Sequence, residues 1–215
     1  MASNFASWIV VAPALLLPSG GRSAPPEKVQ LTIATLHAAA LTTPRVAGDS
    51  TDAPFFVVRI VGPRASSASI LPNSAVRTIR QDEQLSTRPL TELSLAEGDS
   101  VEVQISVLEN AEVQAAVASP SNARAASPAD QVDQATRLVA PLVKEGATWL
   151  GSVSLLLTNE GGSVYWRRLD CVTSCKVLSS PAATALPASK QQASGVVELS
   201  GAGGTYHLAL RANRA

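Results

Sequence analysis

The amino-acid sequence predicts an all-β protein, an antiparallel β-sandwich of roughly eight strands. Three observations carry this. Apolar and polar residues alternate with a period of two over several long stretches. Turn residues punctuate those stretches. The spacing between them is that of strands laid into two packed sheets. With 215 residues, 46% of them hydrophobic and 16% charged, the chain can bury one well-filled domain and still carry insertions.

The elements follow in order. Val29-Gln30-Leu31-Thr32-Ile33-Ala34-Thr35-Leu36 opens the alternation, and Phe55 to Val61 is an apolar strand entered from an acidic turn. A strand is expected around Arg77. The cleanest alternation is Val101 to Val107, which predicts Val101, Val103, Ile105 and Val107 inside and Glu102, Gln104 and Ser106 outside. Gly151 to Leu157 reads the same way, and Asn159-Glu160-Gly161-Gly162 supplies turn chemistry before Val164-Tyr165-Trp166. A strand around Val196 follows. Gly201-Ala202-Gly203-Gly204 then precedes a last strand through Tyr206, Leu208 and Leu210.

One segment breaks the period. Gln114 to Arg124 is rich in Ala, Ser, Asn and Pro and reads as a connector. From Ser127 the pattern becomes helical: Ser127 is an N-cap, Pro128 suits the first helical position, and Asp130 complements the positive helix end. Val132, Ala135, Val139, Leu142 and Val143 recur at helical spacing, with Pro141 as a kink or stop and Gly146 as a terminator. The expectation is one inserted α-helix lying on the sandwich. The alternative is a movable lid or membrane-dipping element. The domain reading is therefore an apolar amino-terminal segment over 1–28, one sandwich domain over 29–212, and a loop-and-helix insertion at 113–147 within it.

Phe5 to Leu17 is an uncharged apolar block that suits a signal-peptide core and is too short to span a bilayer. No Lys or Arg precedes Arg22, and Pro25 spoils cleavage after Ala24, so a buried segment packed on the domain stands equally beside the leader reading. Secretion or the cell envelope and a cytoplasmic location both stay open. No other stretch is long and apolar enough for a transmembrane span. Cys171 and Cys175 can close a small loop disulfide or remain two reduced structural thiols, and a Zn²⁺ site would need two more ligands. The two histidines, His37 and His207, fall inside strand alternation, where isolated histidines are packed or surface residues.

Charge excludes one class of partner. The 17 basic and 17 acidic residues cancel, leaving no field to concentrate nucleic acid or anionic membranes. Arg167 with Arg168, or Arg211 with Arg214, could make a local anion contact; solvated strand-end arginines are the ordinary alternative.

The acidic run Gly48-Asp49-Ser50-Thr51-Asp52-Ala53-Pro54-Phe55 is the most pointed local feature. Together with the strand before it, from Leu31 to Leu41, it resembles the opening of C2 domains. There a strand, an acidic first loop and a Ser-Asp-Pro-aromatic run occur in that order. Leu95 to Glu112 looks like the strand that ends in the second acidic loop of that family. Trp149-Leu150-Gly151 is similar to its aromatic-Leu-Gly step, and Gly203 to Leu208 resembles the closing strand of compact bacterial C2-like domains. The likeness covers 29–212 apart from the insertion, and its specificity lies in the order of the pieces.

The resemblance implies a Ca²⁺ site built from Asp49, Asp52, Glu109 and Glu112, since hard Ca²⁺ takes about six to eight oxygens. Two departures weaken it. Glutamates stand where the family carries an Asp-x-Asp pair, and Gly146-Ala147-Thr148 brings no carboxylate to the third loop. Asp130 or Asp133 on the insertion could close the open side; solvated loop acids are the bland alternative. The sequence has no Gly-x-Ser-x-Gly elbow, phosphate loop, His-Glu-x-x-His or dinucleotide fingerprint. The expectation is thus a non-enzymatic binding or targeting module that meets a cation, lipid, glycan or protein surface. An exported interaction protein without metal is the alternative. A hydrolase using Asp49, Asp52 and Glu109 ranks below both.

Overall fold

Val101, Val103, Ile105 and Val107 point inward in β5 (Ser100–Glu109) and Glu102, Gln104 and Ser106 outward, so the period-two pattern sets the faces as expected. The structure is a computed structural model that describes residues 24–42, 50–63, 66–71, 78–110, 142, 146–181, 184–186 and 193–215. The remaining strands are β1 (Glu27–Ala40), β2 (Pro54–Val61), β3 (Ser66–Leu71), β4 (Gln84–Leu95), β6 (Thr148–Glu160), β7 (Ser163–Thr173), β8 (Cys175–Ser179), β9 (Thr184–Ala185), β10 (Ala193–Leu199) and β11 (Thr205–Arg214). They form a five-stranded sheet in the order β4-β1-β11-β10-β8 and a six-stranded sheet in the order β3-β2-β5-β6-β7-β9. All the pairings are antiparallel.

The core lies between the sheets. Leu31, Leu36, Leu208 and Leu210 come from one side and Val103, Ile105, Leu155 and Trp166 from the other, all fully buried in one contiguous cluster. Fully burying an aliphatic or aromatic side chain of this kind contributes about 1.5–3 kcal/mol.

The described residues hold eleven strands rather than eight. The largest addition is β4, which pairs with β1 along nearly its whole length. Its sequence hid it. Pro89 argues against a strand, and a register shift opposite Leu31 and Thr32 breaks the alternation into two phases. Pro89 is tolerated because β4 is an edge. β8 and β9 are too short to announce themselves. The strand expected around Arg77 falls outside the described residues. So does the expected helix, apart from Leu142, which is helical and buried.

Leu142 nevertheless does something definite. It packs with Ala147, Phe55, Val57 and Leu108 in a second apolar cluster. Phe55 and Val57 lie on the outer face of β2, because Phe56 and Val58 point into the main core. That explains why β2 reads as a continuous apolar run: it is covered on both faces.

Candidate functional site

The register brings several connections to one end of the sandwich. Ala40, at the end of β1, pairs with Thr205 at the start of β11, and Glu109, at the end of β5, pairs with both Pro54 and Thr148. The described residues next to those strand ends, 41–42, 50–53, 110, 146–147 and 200–204, therefore lie at that end.

Asp52 sits at the centre and is fully buried. Its backbone exchanges hydrogen bonds with Ile79, N–H to O at 3.0 Å and O from N–H at 2.8 Å, so the approach to β2 is tied to the approach to β4. Its carboxylate Oδ2 accepts the Thr42 N–H at 2.7 Å and the Tyr206 O–H. Two donors from the five-stranded sheet thus converge on an acid belonging to the six-stranded one. Gly204 lets the chain come this close: a Cβ there would stand 2.8 Å from Thr42 Cγ2 and 3.0 Å from Tyr206 Cε2.

Glu109 is the neighbour of this pin. Its Oε1 accepts the Ala53 N–H at 3.4 Å. Burial pushes its carboxyl above the usual carboxylate range and the charge of Asp52 adds to that, against the Ala53 bond and a bond with the Thr42 side chain. The Tyr206 hydroxyl is held well above the ordinary phenol range, by burial first and by its bond to Asp52 second. Asn110 ties the end of β5 to the segment before β6 through Nδ2, which donates to the Gly146 carbonyl at 3.2 Å.

Of the four acids expected to share a cation, Asp52 and Glu109 come together at this end. Asp49 and Glu112 lie outside the described residues, as do Asp130 and Asp133. Among the described residues, no three His, Cys, Asp or Glu side chains gather into a metal-holding group.

At the same end is Trp149, 39% exposed at the start of β6 and paired with Leu108. Its indole N–H donates to Ser152 Oγ at 3.0 Å, and Ser152 Oγ is 2.8 Å from Ser106 Oγ on β5, so the ring is held along the outer face of the sheet. Behind it the backbone is closely packed: a Cβ on Gly201 would lie 2.3 Å from the Trp149 carbonyl oxygen. Across β6, Ser152 pairs with Thr173. Cys171 and Cys175 form a disulfide there, joining β7 of one sheet to β8 of the other.

The sequence does not single out Tyr206, Thr42 or Trp149 as candidate site residues. Tyr206 carried a usable signal, because alternation puts it on the inward face with Leu208 and Leu210, and an inward tyrosine needs an acceptor for its hydroxyl. Nothing in the sequence says that the acceptor is Asp52, 154 residues away. The arginines weighed as anion contacts are mostly engaged. Arg167 pairs with Glu160 and lies 4.4 Å over the Tyr165 ring, Arg168 pairs with Asp170, and Arg214 pairs with Glu27 at 2.7 Å.

No protein family, curated protein or solved structure matches this chain. No described helix is long and apolar enough to cross a membrane.

Proposed function

We propose that this chain is a non-enzymatic binding module of C2-like build whose contact surface is the loop end around Trp149. The observation that supports this reading most is the combination of an exposed indole with a rigid seat. Trp149 is tethered through its N–H to Ser152 and backed by the close Gly201 turn, while the Asp52 pin ties Thr42 to Tyr206 at the same end. Half-exposed tryptophans on preordered surfaces are typical anchors of recognition, because they bring large contact area at little entropic cost. The disulfide beside it is the kind of bond that persists in oxidising compartments, which favours an exported protein.

The pin also supplies, from within the protein, what a cation supplies in a C2-type acidic loop. Asp52 Oδ2 is taken up by the Thr42 N–H and the Tyr206 O–H, donors that stand where a coordinated ion would. A second reading is a weak Ca²⁺ site in which Asp52 and Glu109, neighbours at this end through the Glu109–Ala53 bond, are two of the oxygen donors.

The test is a binding survey of the parent and Trp149→Asp against anionic and neutral vesicles, a glycan array and an envelope-protein extract, each with Ca²⁺ and with chelator. The module reading expects one ligand class to be retained by the parent and lost by the variant at equal melting temperature, independently of Ca²⁺. Equal retention by both proteins, or retention of nothing, contradicts it.

A further inference from the structure

His37 and His207 are the only histidines in the chain, 170 positions apart in sequence, and the structure sets them directly opposite each other on β1 and β11. They are not the isolated residues that their sequence context suggested. Their ring centroids are 5.7 Å apart with the planes tilted by 33°. Both point to the outer face of the five-stranded sheet, since Leu36, Ala38, Tyr206 and Leu208 on either side of them fill the core. The row continues across every strand of that sheet: Gln84 on β4 pairs with His37, Glu198 on β10 pairs with His207, and Lys176 on β8 pairs with Glu198.

We propose that this row is an open site for a borderline divalent transition metal, Cu²⁺ above all, held by the two imidazoles. Imidazole nitrogen is the protein donor that suits Cu²⁺, Ni²⁺ and Zn²⁺, and for a given donor set Cu²⁺ binds most tightly of the divalent series. Two rings sharing an ion at a metal–nitrogen distance of about 2.0–2.1 Å have centroids about 4.5–6.3 Å apart, so the observed separation calls for rotation of side chains and no movement of strands. Glu198 acts as the positioning residue. Its Oε2 lies 3.4 Å from His207 Nε2, and because a carboxylate only accepts, it favours the tautomer with the proton on that nitrogen and Nδ1 as the lone-pair donor. His207 and Glu198 are each more than a third exposed, so an ion can reach the row from solvent, and its other coordination positions are filled by water. The site stands on the opposite sheet from Trp149 and is independent of the reading given above.

The experiment is titration of the untagged, disulfide-bonded full chain with Cu²⁺, followed by calorimetry and electron paramagnetic resonance. Because the chain has no third histidine, imidazole couplings report on this pair alone. The expected result is one equivalent bound with micromolar affinity and couplings from two imidazole nitrogens. His37→Ala and His207→Ala should each lower the affinity at least tenfold, and Glu198→Gln should lower it severalfold while keeping both couplings. Binding only at millimolar Cu²⁺, a spectrum with one imidazole, or an unchanged affinity in the double histidine variant would overturn the proposal.

Discussion

At the scale of single residues, Asp52, two positions before β2, and Glu109, the last residue of β5, are two acids with different environments. Asp52 receives donors from Thr42 and Tyr206; Glu109 receives a long bond from Ala53 and one from the Thr42 side chain, and faces the charge of Asp52. Asp52→Ala would strand the Tyr206 hydroxyl and the Thr42 N–H in a buried site, and a loss of about 2–4 kcal/mol is expected in denaturant unfolding. Glu109 carries a pH dependence. Its folded carboxyl titrates above the usual 4.5, so between that value and the raised one the native state holds more protons than the unfolded state, and stability falls as pH rises. Glu109→Gln keeps an acceptor for Ala53 and removes the charge. It should raise the melting temperature near neutral pH and give no gain at pH 4; a gain of equal size at both values would contradict the assignment. The acids themselves were legible in the sequence, because acidic turns before apolar strands are visible locally. Their partners were not, because Thr42 and Tyr206 meet Asp52 only once the sheets are assembled.

At the scale of elements, β5 was readable because nothing interrupts its alternation, and Ile105→Asp should prevent folding, since a buried unpaired carboxylate costs more than a domain of this size has to spare. β4 was unreadable for the converse reason: Pro89 and the register shift erase the period that identifies a strand. The insertion lies between these cases. Leu142 caps Phe55, Val57 and Leu108 on the outer face of β2, and Leu142→Ala is expected to cost about 2–4 kcal/mol in denaturant unfolding, with an unchanged stability counting against a packed cover. The β7–β8 turn makes a further prediction. A disulfide across a sequence separation of 4 restricts only a short loop, so a Cys171→Ser, Cys175→Ser double variant should keep its fold and lose about 2 kcal/mol.

At the scale of the whole molecule, two sheets share one apolar core, and one end of the sandwich is knotted by polar bonds that cross between them. The sandwich class follows from periodicity alone, whereas the strand order and the placing of the loop end depend on pairings between residues more than a hundred positions apart, such as Ala40 with Thr205. The central claim is that hydrogen bonds to Asp52 organise that end without help from a cation. Thermal unfolding of the parent, Tyr206→Phe and Glu109→Gln, each with Ca²⁺ and with chelator, tests it most directly. Losing the Tyr206 hydroxyl should cost about 1.5–3 kcal/mol, or roughly 3–10 °C, equally in both conditions, and Ca²⁺ should leave the parent unmoved. A rise in the parent's melting temperature with Ca²⁺ that disappears in Glu109→Gln, alongside a Tyr206→Phe protein as stable as the parent, would show instead that a cation sets the loops.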